Sequence, residues 1–206
     1  MAIDIATPHG PARIHLDTAA DPRGALVLGH GAGGGVGARD LVAATETALS
    51  LSVSVALVEQ PYRVAGRRSP APAHQLDAAW IAVVEHLRSA ELDRGPLVVG
   101  GRSSGARVAC RTAPATGADA VLCLAFPLRP PPRQGRPPGP SRLPELDAVT
   151  LPTLVVQGEH DRFGIPPVGR SRTVAVVRGD HALRSDPGAV ADAVGAWLSR
   201  VLDSHD

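Results

Sequence analysis

A single α/β domain, with a mostly parallel sheet covered by helices on both faces, is predicted from three features of the chain. Its 206 residues suit one hydrophobic core. Short apolar runs rich in valine and leucine alternate with longer stretches whose apolar residues recur at helical spacing. Those runs are apolar at nearly every position, as strands buried on both faces must be.

The elements follow in order. "AIDIA" and "ARIHLD" alternate polar and apolar residues around the turn signal "TPHGP", which predicts an N-terminal β-hairpin. "ALVLG" (25–29) and "VSVALV" (53–58) read as buried strands bracketing the helix "ARDLVAATETALSLS", a βαβ unit. "HQLDAAWIAVVEHLRSAEL" (74–92) is a long amphipathic helix, "PLVVG" (96–100) the next strand, and "SGARVACRTA" the helix after it. "AVLCLAF" (120–126), "PTLVVQG" (152–158) and "RTVAVV" (172–177) are further strands. The closing helix is "PGAVADAVGAWLSRVL" (187–202), with Pro187 in its first turn. Between two of these strands, "FPLRPPPRQGRPPGPSRLPEL" (126–146) is too proline-rich for helix or central strand. Residues 127–150 form a semi-rigid excursion over one end of the sheet, too short for a large cap domain.

Composition excludes several classes of function. The formal net charge is +1, which suggests no nucleic-acid partner. All basic side chains are arginine, and without lysine neither a Walker-type phosphate loop nor Schiff-base chemistry can be built. Cys110 and Cys123 each sit in an apolar run, without metal or disulfide-scaffold spacing. His9, His15, His74, His86 and His205 are scattered, so no metal is expected. No basic leader with an apolar segment opens the chain, and no stretch of ~18 apolar residues occurs. A cytoplasmic protein with no membrane partner is the expectation.

The chemistry concentrates in two glycine-rich turns. Gly101-Arg102-Ser103-Ser104-Gly105 fits G-x-S-x-G with a strand before it and a helix behind it. A serine at so tight a turn takes a strained backbone that lifts its hydroxyl above the sheet, and the helix N-terminus offers amide hydrogens to a developing oxyanion. Taken alone, the two serines would be helix caps. A serine nucleophile needs a base, and the base an orienting acid. Asp161 follows the strand "LVVQG" and His181 follows "VAVV", so parallel strands bring both to the edge that carries Ser103. Ser103, Asp161 and His181 are the expected catalytic set. Glu159 and His160 beside Asp161, and Asp180 beside His181, leave a shift by one position open.

"GHGAGGG" (29–35) has two readings. Gly29, Gly31 and Gly34 fit the dinucleotide fingerprint G-x-G-x-x-G, with Glu59 placed for a ribose, which points to a nucleotide-binding oxidoreductase. Alternatively the run is an oxyanion loop, in which the backbone amide of Ala32 pairs with that of Ser104. The second reading fits the other motif and its partners.

Five blocks, "LVLGHGAGG", "GGRSSGARVA", "LAFPLRPPP", "LPTLVVQGEHDRFG" and "GDHALR", carry a resemblance to the small serine α/β-hydrolases of the dienelactone-hydrolase-like group. The chain looks closest to the branch that includes the hydrolase-like domain of an animal histone-acetyltransferase complex subunit. The resemblance implies an α/β-hydrolase fold, a triad at Ser103, Asp161 and His181, and the proline-rich stretch as a family feature near the site; no cofactor is expected. Dienelactone hydrolase itself uses a cysteine nucleophile, so its substrate does not carry over, and Ser104 stands where many relatives have methionine. A serine hydrolase of small esters or thioesters is expected. The competing expectations are a catalytically silent interaction protein that docks a protein partner on the Pro/Arg-rich segment, and the oxidoreductase.

Overall fold

The computed structural model describes residues 1–132 and 137–205, so the middle of the predicted proline-rich excursion, 133–136, lies outside the described residues. Eight strands form one sheet in the order β1-β2-β4-β3-β5-β6-β7-β8. Strands β1 (Ala2–Ile5) and β2 (Ala12–Asp17) make the N-terminal hairpin, and β2 runs antiparallel to β4 (Val53–Glu59). From β4 onward every pairing is parallel, through β3 (Gly24–Gly29), β5 (Leu97–Arg102), β6 (Ala120–Leu124), β7 (Thr153–Gly158) and β8 (Arg172–Val177).

Because side chains alternate across a strand, each parallel strand feeds two cores. Val27, Val99, Val121 and Cys123 point to one face, where they join Trp80, Val84, Leu87 and Ala109 of helices α3 (Ala73–Ala90) and α4 (Ser104–Thr116). Leu26, Leu28, Val98 and Leu122 point to the other, against Leu41, Ala44, Val194 and Trp197 of α1 (Arg39–Ser50) and α6 (Pro187–Asp203). This two-sided burial is why these strands lack the polar alternation of the hairpin.

Two short helices were not expected. Helix α2 (Pro61–Val64) turns the chain after β4, and α5 (Leu143–Asp147) closes the proline-rich excursion. The second corrects the expectation that this segment is too rich in proline for helix. Its proline lies in the first turn, where the missing N–H has no intrahelical partner to lose. Upstream of α5 the chain doubles back on itself: the amide of Arg142 donates to Leu128 O at 2.8 Å and that of Gly139 to Pro130 O at 3.2 Å. No helix among the described residues is long and apolar enough to cross a membrane.

Candidate active site

The C-terminal ends of β3, β5, β7 and β8 deliver four loops to one edge of the sheet. Ser103 lies between β5 and α4 with φ 52° and ψ −106°, the left-handed backbone expected of a serine at so tight a turn. Its amide donates to Leu124 O at the end of β6, which anchors the turn from below.

His181, in the loop after β8, brings Nε2 to 3.0 Å from Ser103 Oγ and Nδ1 to 2.8 Å from Asp161 Oδ2. Asp161 can only accept at Nδ1, so that nitrogen carries the proton and Nε2 presents a lone pair to the serine hydroxyl. The carboxylate is fully buried and fully engaged. Oδ1 accepts from the Phe163 amide at 2.8 Å, and Oδ2 accepts a second bond from Gln157 Nε2 at 2.7 Å. The Phe163 ring lies 4.4 Å from that of His181 and limits its rotation. The proline-rich excursion reaches this spot, since the Arg129 amide donates to Phe163 O at 2.9 Å.

The neighbours that left the assignment open point elsewhere. Glu159 and His160 face solvent, with 3.6 Å between His160 Nε2 and Glu159 Oε1. Asp180 is exposed and accepts from the amide of Ala182 at 2.8 Å.

The glycine loop after β3 is oriented by His30, a residue sequence reasoning passed over. Its buried ring accepts at Nε2 from the Gln60 amide (3.2 Å) and donates from Nδ1 to Gly31 O (2.8 Å). Burial holds its pKa below the usual histidine value, which favours the neutral ring this pattern needs. Gly34 N–H also donates to Gly31 O. In a trans peptide the N–H opposes the C=O, so pinning Gly31 O toward His30 turns the Ala32 N–H the other way. The Ala32 carbonyl in turn accepts from the Tyr62 hydroxyl at 3.1 Å. Ser104, as the first residue of α4, has an amide with no intrahelical acceptor. Glu59, the ribose candidate of the dinucleotide reading, instead lies 3.4 Å from His15 Nε2.

Arg102 fastens three of these loops together. Its Nη2 donates to His181 O at 2.8 Å, and its Nε lies 2.9 Å from the carboxylate of Asp40 at the start of α1. A side chain at Gly31 would come within 2.9 Å of Arg102 Nη1. Asp40 is entirely buried, and burial holds its pKa above the usual carboxylate value even though Arg102 pulls it down. A carboxylate with a raised folded-state pKa costs stability as pH climbs through that value. Replacing Arg102 with glutamine is therefore expected to lower unfolding stability by about 3–5 kcal/mol at neutral pH, since a buried charge loses its partner. The loss should shrink as the medium is acidified and Asp40 takes a proton, and it should shrink likewise in the Arg102→Gln, Asp40→Asn double variant. Urea denaturation at several pH values measures both.

Signals for these supporting residues were present but weak. Gln157 is a polar residue in a mostly apolar strand, and Arg102 is the first variable position of G-x-S-x-G. Neither carries a spacing that names its partner.

A family model described as an alpha/beta hydrolase domain matches residues 22–185. No curated protein sequence matches the chain. Among solved structures, Est1E from Butyrivibrio proteoclasticus is similar with a TM-score of 0.78 at 15% identity, covering 98% of this chain and 99% of that one. XC6422 from Xanthomonas campestris, described as an a/b serine hydrolase without lid, is similar at 0.74 and 17%, covering 97% and 94%. Dienelactone hydrolase from Anabaena variabilis follows at 0.73 and 16%, covering 100% and 97%. At such identities these are likenesses of fold.

Proposed function

The chain belongs to the alpha/beta hydrolase domain family, and from that premise we propose that it is a serine hydrolase cleaving a small carboxylic ester or thioester through an acyl-enzyme intermediate. The observation that carries this is the unbroken chain of hydrogen bonds from Ser103 Oγ through His181 to Asp161. The finer placement, in the branch with the hydrolase-like domain of a histone-acetyltransferase complex subunit, belongs to this proposal and rests on the five sequence blocks.

Each residue has one task. Ser103 Oγ attacks the carbonyl carbon while His181 Nε2 takes its proton, and Asp161 stabilises the imidazolium that results. The carbonyl oxygen becomes an oxyanion held by the amides of Ala32 and Ser104, backed by the positive end of α4. His181 then passes its proton to the departing alcohol or thiol oxygen or sulfur as the carbon–heteroatom bond breaks. Water enters, His181 takes a proton from it, the new oxyanion collapses, and the acid leaves as Ser103 recovers its hydrogen. Every step uses side chains and amides of this chain alone. The described start of the excursion, residues 127–129, forms one rim of the site beside Phe163.

A fluorophosphonate reporter tests the proposal. Wild-type protein is expected to be labelled at Ser103, and Ser103→Ala or prior denaturation to abolish the label, as read by mass spectrometry of the modified peptide. Folded protein that stays unlabelled would overturn it.

A further inference from the structure

The ester that such a site takes is not fixed by the triad, but one flank of the site is strongly cationic. A groove of about 510 Å³ opens there between the glycine loop (Gly33, Gly34, Gly37) and three arginines, Arg39, Arg102 and Arg184. Arg102 ties the groove to the nucleophile, because the space beside Gly31 is bounded by Arg102 Nη1 at 2.9 Å and by Ser103 Cβ at 3.6 Å from where a side chain would start. It also ties the groove to the base, through the bond from Nη2 to His181 O.

Charge in this groove is not balanced. Asp40 neutralises Arg102 from behind and is itself fully buried. Arg39 and Arg184 are exposed, and neither guanidinium has a hydrogen bond or ion pair with any described residue. Asp180, three residues before Ala182's other neighbour Leu183, turns its Oδ1 to the Ala182 amide and pairs with neither arginine. Arg39 moreover opens α1, where the positive end of the helix disfavours a cation. Two guanidiniums without a carboxylate partner and a helix N-terminus border one groove, and a guanidinium fork suits the oxygens of a carboxylate or phosphate.

We propose that this groove binds an anionic group of the substrate, so that the preferred ester or thioester bears a carboxylate or phosphate on its acyl or leaving portion, recognised by Arg39 and Arg184. This rests on the hydrolase function proposed above. Arg102 acts as a positioning residue, holding the groove wall and the His181 loop in one piece.

A matched pair of substrates tests it: the 4-nitrophenyl monoester of succinic acid against 4-nitrophenyl pentanoate. The ratio of kcat/KM, charged over neutral, is expected to exceed about tenfold, the scale of a hydrogen bond to a charged group. It should fall by about tenfold or more in Arg39→Gln, Arg184→Gln, and be largely kept in Arg39→Lys, Arg184→Lys. A ratio near one, or one that the glutamine variant leaves unmoved, overturns the proposal.

Binding to folded Ser103→Ala protein, followed by equilibrium dialysis, separates this inference from the hydrolase function. Retention of the charged ester over the neutral one, lost when both arginines become glutamine, supports the groove even if wild-type protein neither turns over esters nor takes the fluorophosphonate label. Equal retention of both esters overturns the groove even where labelling at Ser103 stands. Competition with succinate or inorganic phosphate identifies the anion; displacement by neither also overturns it.

Discussion

Ser103→Ala is expected to lower kcat/KM for a 4-nitrophenyl ester by roughly 10⁴-fold or more, with unfolding stability nearly unchanged. His181→Ala should cost about as much, and the double variant little more than either, because nucleophile and base act as one unit. Asp161→Asn is the more informative change. The wild-type carboxylate accepts three hydrogen bonds, from His181 Nδ1, Gln157 Nε2 and the Phe163 amide. An asparagine must point its NH₂ at one side of that set of donors. Turned toward His181, it forces Nδ1 to become an acceptor and moves the ring proton to Nε2, where it faces Ser103 Oγ and cannot take the hydroxyl proton. Turned toward Phe163, it leaves a buried amide hydrogen without an acceptor. The first orientation predicts a loss of about 10⁴-fold in kcat, the second a loss of about 1–3 kcal/mol in stability. Steady-state kinetics and urea denaturation on the same protein tell them apart, and a variant within tenfold of wild type in kcat and within about 0.5 kcal/mol in stability would remove Asp161 from its role.

Much of this arrangement was legible in the sequence, for a physical reason. Strands buried on both faces and helices with one apolar stripe are patterns of composition along the chain, and parallel strands send their following loops to one edge. Ser103, Asp161 and His181 could therefore be placed together without any contact being known. The supporting contacts were not legible. His30 meets Gly31 O and the Gln60 amide, and Gln157 meets Asp161 and Phe126 O, through side-chain directions that no periodicity encodes. Arg102 and Asp40 are 62 residues apart by their own numbers, and nothing in either stretch names the other. Helix α5 escaped notice because proline was weighed by abundance, whereas its position in the first turn decides whether it is tolerated.

The glycines show the same division between composition and position, and they carry the second large effect. Gly105→Ala is expected to destabilise the fold by about 3 kcal/mol, at the upper end of the range for overpacking. A Cβ on Gly105 would overlap Gly29 O and lie 2.6 Å from Gly29 C and 2.9 Å from His30 O. All three atoms are backbone, at the point where the first turn of α4 crosses the end of β3, so no rotamer change relieves the contact. Gly29 is held in β3 between β4 and β5, and Trp80 packs on the same face as Gly105, 3.1 Å from where a Gly29 side chain would begin. The helix must back away from the strand, and that displacement separates the Ser104 amide on α4 from the Ala32 amide carried by the loop after β3. Fluorophosphonate labelling should therefore slow in protein that is still folded. Gly35→Ala is the contrasting case, since a Cβ there meets nothing within 4 Å, and its stability should stay within about 0.5 kcal/mol of wild type. Urea midpoints for the two variants, read beside their labelling rates, would show that close backbone packing at Gly105, rather than the glycine content of the run at 29–35, sets the geometry around Ser103.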